Sequence, residues 1–253
     1  MLNLKTVKNY ATRMMPHVEV NHKHGWMRHD VVKLLAGTEN IGIELGVAEG
    51  TYAKRIVKSA KFSRFYGVDV YGDTHDTAEY CRALRYIGFE NPAYCLLRMD
   101  FNSALELFED SYFDFIYVDG FAHTGEEGGK TLIDWYKKLK KGGILAGDDY
   151  HEDWPLVKWA VNDLVKQLGV ELNVTTGVET VDYSMYPTWF IVKENSDTEL
   201  NLNQDLFSVA IKEKKRIHSL RVGSRRKIIK VIAKILELFG VKGIVKRVLD
   251  QRR

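Results

Sequence analysis

Acidic residues recur at the ends of the apolar, β-branched runs, and they are the groups whose spacing could do chemistry. Glu44 lies in Ile41-Gly42-Ile43-Glu44-Leu45-Gly46, and Asp69 closes Tyr66-Gly67-Val68-Asp69. Asp100 follows Arg98-Met99, Asp119 closes Ile116-Tyr117-Val118-Asp119, and Asp148-Asp149 follow Ile144-Leu145-Ala146-Gly147. Ligands of an open α/β sheet bind beyond the carboxyl ends of its strands. Asp69 suits both ribose hydroxyls of a nucleoside, whether or not that nucleoside is part of a dinucleotide. Asp100 can accept an adenine amino group while Phe101 or Tyr71 covers the ring, or it can cap a helix starting at Asn102-Ser103. Asp119, Asp148 and Asp149 converge from neighbouring strand ends, where unpaired carboxylates raise one another's pKa. A hard divalent cation removes that repulsion, and an all-oxygen donor set suits Mg²⁺. Such an ion could hold two hydroxyls of an acceptor and acidify one of them. His123 would then take the proton, with His151 as the fallback base. Each acid also has an ordinary structural use, since Asp148 or Asp149 can cap the helix that begins near Pro155.

The elements that must position these groups alternate strictly. Strands are expected at 41–46, 65–70, 93–98, 113–119 and 144–148, with two more at 172–176 and 188–192. Helical patterns near 51–59, 77–87, 103–107, 130–139 and 155–168 separate them. Buried strands divided by helices call for a parallel sheet with right-handed crossovers. The last two runs lack a long helix between them and should pair antiparallel. The expectation is an α/β, Rossmann-like, seven-stranded, mostly parallel sheet with an antiparallel last strand, followed by basic amphipathic C-terminal helices.

The first βα turn distinguishes cofactors. Dinucleotide enzymes carry G-x-G-x-x-G, which seats a pyrophosphate on the helix N-terminus. Here the pattern is Glu44-x-Gly46-x-x-x-Gly50, and Glu49 would repel a pyrophosphate. This stretch resembles the first motif of class I S-adenosylmethionine (SAM)-dependent methyltransferases, and five βα units followed by a hairpin match their architecture. Asp119-Gly120…His123 followed by Gly147-Asp148-Asp149-Tyr150 looks like the metal-dependent sugar O-methyltransferases of the macrocin and mycinamicin type. It is equally similar to a broad group of bacterial class I methyltransferases found with glycan pathways. The resemblance implies that Glu44, Gly46, Gly50, Asp69, Asp100, Phe101 and Asp119 hold SAM. It also implies that Asp119, Asp148 and Asp149 ligate the metal, with His123 as base. One departure stands out: the family spacing is Asp-x-x-His, and here one extra residue separates Asp119 from His123. The likeness covers residues 29 to 193 and does not reach the tail.

Charge divides the chain. Residues 212–253 hold 15 Lys/Arg and 3 Asp/Glu, leaving 22 basic and 31 acidic residues before them. The organisation expected is a lead-in at 1–29, a methyltransferase domain at 30–195, and a linker with basic amphipathic helices at 196–253. Residues 226–239 alternate apolar and cationic positions at helical spacing, and 241–249 repeat the scheme after Gly240. Helices of this kind in 224–253 fit an anionic membrane surface, or a partner protein, a second subunit or the domain itself. Nucleic acid is disfavoured, because the basic face is nearly free of aromatic residues. Asp30 is expected to cap a short helix. His17, His22, His24 and His29 match no metal spacing. Cys81 and Cys95 make no disulfide framework, and Met1–Lys5 lacks the apolar core of a signal peptide. A cytoplasmic protein, peripheral on the inner membrane face, is the setting these features predict. The function expected is methylation of a sugar hydroxyl on a glycan, glycolipid or glycosylated natural product. Two rivals stand beside it: an NAD-dependent oxidoreductase, and a non-catalytic nucleoside-binding scaffold.

Overall fold

The computed structural model describes residues 4–72, 75–89, 91–177, 179, 185–195 and 198–220. The chain forms two compact units, Met1–Ile211 and Lys212–Arg253.

The first unit is built on one eight-stranded sheet. Its strands are β1 (Val20–Lys23), β2 (Asn40–Leu45), β3 (Phe62–Asp69), β4 (Tyr94–Arg98), β5 (Phe113–Val118), β6 (Leu139–Gly147), β7 (Leu172–Thr175) and β8 (Trp189–Val192). They lie in the order β1-β7-β8-β6-β5-β2-β3-β4. All seven expected strands are present. The eighth, β1, comes from the lead-in and pairs parallel with β7. Its four residues, Val20-Asn21-His22-Lys23, are too short and polar to show a period. β8 pairs antiparallel with both β6 and β7, so the expected hairpin is inside the sheet and β1 takes the edge.

The helices are α1 (Leu4–Met14), α2 (Thr51–Lys58), α3 (Thr77–Ala83), α4 (Phe101–Leu105), the four-residue turn α5 (Gly125–Gly128), α6 (Lys130–Lys138) and α7 (Pro155–Leu168). α7 starts with Pro at its first turn and stops at Gly169 in the left-handed conformation, as the sequence punctuation requires. α3 runs into a π-helical turn at Leu84–Gly88.

Apolar residues cover both sheet faces, as they must in a parallel sheet. Trp135, Trp159, Trp189 and Leu145 centre one core, with Val7 and Ala11 of α1 joined to it. Val31, Tyr52, Ile56, Phe65 and Phe115 centre the other. The lead-in therefore belongs to the folded unit. So do helical residues 204–211, whose Leu206 and Ala210 are buried.

A 3₁₀ turn at Arg28–Leu34 replaces the expected helix capped by Asp30. Asp30 sits inside that turn, where its Oδ2 accepts the Met27 N–H at 2.8 Å. In the second unit residues 212–220 are helical, and Arg216 donates to Glu213. The amphipathic segment at 221–253 lies outside the described residues. Among the described residues no helix is long and apolar enough to cross a membrane.

Candidate active site

The sheet order reverses at β2, which lies between β5 and β3. Such a switch point opens a crevice at the strands' carboxyl ends. At its floor, Gly46 adopts φ +95°, and a Cβ there would sit 2.0 Å from the Asp119 carbonyl oxygen. Only glycine lets β2 and β5 approach so closely. Gly50, at φ +82°, stands at the N-cap of α2.

Asp69 builds the loop between them. Its Oδ2 accepts the Val47 and Ala48 N–H groups, each at 3.1 Å, and its Oδ1 accepts Tyr71 N–H at 3.0 Å. The Tyr71 hydroxyl donates to the Ala48 carbonyl at 2.7 Å. Asp69 thus faces the crevice with both oxygens already holding backbone. Asp100 caps α4, accepting from Asn102 N–H, Ser103 N–H and the Ser103 hydroxyl. Those bonds to Ser103 hold its carboxyl below the usual carboxylate range.

Above this floor lies a cavity of about 630 Å³, whose lining includes Glu44, Gly46, Asp69, Asp100, Phe101 and Asp119. Six of the seven residues assigned to the cofactor therefore share one space, and Gly50 shapes the loop beside it. Tyr71 packs against Tyr80 instead, with ring centroids 5.1 Å apart. Glu44 is 1% exposed, and its Oε2 has no hydrogen-bond partner among the described residues. Burial, then Asp119, pushes its carboxyl well above the usual range. An orphaned carboxyl in a cavity of ligand size is a binding group waiting for a donor.

Asp119, Asp148 and Asp149 do converge, but they meet a guanidinium. Arg28 reaches Asp119 Oδ2 at 2.5 Å and Asp148 Oδ2 at 3.3 Å. Burial works against its charge, but Tyr117, Asp119 and Asp148 outweigh that and raise its pKa. Burial raises the Asp148 carboxyl, with Arg28 opposing the shift. Burial, then Asp148 and Asp119, pushes Asp149 to about 8. Asp149 also adopts φ +64°, a strained backbone for a non-glycine residue. Neither acid caps α7, whose N-cap is Trp154.

Among the described residues no group of three or more His, Cys, Asp or Glu is disposed to hold a metal ion. The expected metal set Asp119, Asp148 and Asp149 thus does not fit Mg²⁺ as arranged, because Arg28 engages two of its three members.

The two candidate bases stand on one aromatic wall. His123 meets the edge of Trp154 at 4.7 Å, Trp154 meets Tyr186 at 5.8 Å, and Tyr186 meets His151 at 4.9 Å. The indole N–H of Trp154 is buried without a partner among the described residues. Trp189, on β8, is fully buried core. His17, His22 and His151 line a second cavity of about 700 Å³ beside Tyr150.

Three groups escaped the sequence reading: Arg28, Trp154 and Glu126. Glu126 is buried in α5 at φ +54°, and burial, then Asp149, raises its carboxyl. The glycines around Glu126-Glu127 were its signal. A Cβ on Gly125 would come within 2.3 Å of the Leu156 carbonyl oxygen, so this segment is tightly packed against α7.

Residues 43–150, which contain this floor and both acid-bearing strand ends, match the family model of a methyltransferase domain. No curated protein matches the chain in sequence. The fold is similar to that of spermidine synthase from Thermotoga maritima, with a TM-score of 0.51 and 18% identity over 74% of this chain and 70% of that one. It is also similar to a protein from Klebsiella pneumoniae assigned as an O-methyltransferase, with a TM-score of 0.50 and 15% identity over 76% of this chain and 90% of the other. At these identities the likeness is one of fold.

Proposed function

We propose that the protein transfers a methyl group from SAM to a hydroxyl oxygen, with a sugar of a glycan, glycolipid or glycosylated natural product as acceptor. The observation that carries this reading is a cavity of about 630 Å³ at the carboxyl end of β2, lined by Glu44, Asp69, Asp100, Phe101 and Asp119. Arg28, in the same lining, ties Asp119 to Asp148. When bound, SAM supplies a sulfonium-activated methyl whose C–S bond breaks as the acceptor's O–C bond forms, leaving S-adenosylhomocysteine and one proton.

The chain's own residues do the rest. The Gly46 turn admits the ligand's backbone-side atoms, Phe101 offers a face for a base, and Glu44 offers its unpartnered oxygen to an amino or hydroxyl group. Aromatic faces such as Trp154 and Tyr186 suit the apolar side of a sugar ring. Positioning of the two substrates supplies much of the rate. The hydroxyl proton has two candidate acceptors: His123 from the sequence, and Asp149, favoured by its strained backbone and raised proton affinity. His151 lies farther along the wall. A divalent cation does not enter these steps.

The decisive experiment is calorimetry with S-adenosylhomocysteine and with NADH, followed by methylation of a sugar panel with labelled SAM. Binding of NADH alone would favour the oxidoreductase. Binding of S-adenosylhomocysteine with no acceptor methylated and no effect of Asp149→Ala would favour a scaffold. Asp69→Ala is expected to weaken S-adenosylhomocysteine binding by about 1.5–3 kcal/mol, because three backbone donors lose a charged acceptor. Unchanged affinity would remove Asp69 from the site.

The basic segment at 224–253 is proposed, from its sequence alone, to rest on anionic lipid. The chain ending at residue 220, which keeps buried Leu206 and Ala210, should lose sedimentation with anionic vesicles that the full chain shows at low salt. If the full chain never sediments with them, the anchor idea is wrong.

A further inference from the structure

We propose that Arg28 is the resident cation of the crevice, standing between Asp119 and Asp148 where a divalent metal would otherwise stand, so that turnover needs no metal. The inference rests on the methyltransferase reading and names how its acidic pair is neutralised.

Four observations carry it. First, the guanidinium bridges the ends of β5 and β6, with Nη2 on Asp119 Oδ2 and Nη1 on Asp148 Oδ2. Second, its Nε donates to the Tyr117 hydroxyl at 3.1 Å. That hydroxyl lies 2.9 Å from Thr188 Oγ1, and Thr188 Oγ1 donates to Asp148 Oδ1 at 3.3 Å. The bonds close a ring in which every hydroxyl gives one proton, if Tyr117 donates to Thr188, and Asp148 accepts at both oxygens. Third, the guanidinium lies over the rings of Tyr52 and Tyr117, 4.6 and 5.1 Å from their centroids. Such stacking suits arginine and not a hydrated metal ion. Fourth, its side chain is only 6% exposed, and Val31 and Val32 of the same 3₁₀ turn are core residues.

These contacts leave little choice of occupant. Mg²⁺ requires near-octahedral oxygens at about 2.0–2.1 Å, and it would have to strip two carboxylates from their present donors. Arginine cannot make way by losing its proton. It also cannot swing out without breaking the ring and unstacking from both tyrosines. A metal beside it would face a like charge next to a buried guanidinium, where repulsion is strong. Arg28 lines the cofactor cavity as well, so one fixed charge serves the wall between cofactor and acid pair.

The test uses the full-length protein, Mn²⁺ as probe and two variants. Wild type should bind no stoichiometric Mn²⁺ by electron paramagnetic resonance, and its turnover should be unchanged in chelator. Arg28→Met, close in shape but uncharged, should lose about a hundredfold in turnover, the scale of a lost preorganised charge. It should also gain a Mn²⁺ site that disappears in Arg28→Met/Asp148→Asn. The gain would show that Arg28 holds the position a cation can take, and lost turnover with S-adenosylhomocysteine affinity retained would separate a working charge from a merely structural one. Should Arg28→Met fail to fold, Arg28→Lys keeps the charge and should stay silent towards Mn²⁺. Stoichiometric Mn²⁺ on wild type, with turnover lost on chelation, overturns the proposal. S-adenosylhomocysteine binding is measured alongside, and its absence would instead sink the methyltransferase reading.

Discussion

Asp149→Asn is expected to lower kcat by about 10²–10⁴-fold, the range for loss of a general base, while S-adenosylhomocysteine affinity stays within about twofold. Asparagine has the same shape and tolerates the left-handed backbone that Asp149 adopts, so the fold should survive. The reason for the loss is electrostatic. Burial, then Asp148 and Asp119, hold the Asp149 proton until about pH 8, which gives the ionised form unusual basicity for a carboxylate. Turnover should therefore climb as pH rises through that region and level off above it, and the variant should lose the climb.

The linkage runs the other way for stability. A carboxyl whose folded pKa is raised contributes fully below its unfolded value, about 3.9, and loses that contribution as pH rises through the folded value. Melting temperature should fall from pH 6 to pH 9 in wild type and fall less in Asp149→Asn. If His123→Gln removes the kinetic climb and Asp149→Asn does not, the base is His123.

Most of the scaffold could be read from periodicity, because β2, β3, β5 and β6 are buried runs bounded by glycine or acid. α7 could be read even to its ends, since Pro155 and Gly169 mark both. β1 could not, because its pairing with β7 joins residues some 150 positions apart and leaves no local pattern. The same blindness hid Arg28. The three carboxylates sit at strand ends that announce themselves, whereas their counter-ion arrives from a 3₁₀ turn in a stretch without a motif. The spacing of the acids asks for a counter-charge, but the identity of the cation depends on a tertiary contact. Asp69 and Asp100 show a related limit. Their position at the cavity was legible, yet both spend oxygens on local backbone, which composition cannot reveal. His123 and His151 were paired as alternatives on sequence grounds, and only the packing of Trp154 against Tyr186 places them on one wall.

Gly46→Ala should be the most damaging small substitution in the first unit. At φ +95° any Cβ carries backbone strain of about 1–3 kcal/mol. Here the added carbon would also lie 2.0 Å from the Asp119 carbonyl oxygen and 2.8 Å from its carbonyl carbon. That neighbour cannot yield easily. The Asp119 N–H is held by the Leu45 carbonyl at 2.8 Å, and its side chain is held by Arg28. Relief would require parting β2 from β5 at the mouth of the crevice, so a total cost of about 4 kcal/mol or more is expected, the exceptional end for point substitutions. Gly142→Ala is the matched control, since it has φ +79° with nothing within 4 Å, and it should cost about 1 kcal/mol. Urea unfolding of the two variants separates collision from strain. Calorimetry adds the functional half: an alanine at 46 that still binds S-adenosylhomocysteine with wild-type affinity would mean that the close approach of β2 and β5 is not the cofactor floor.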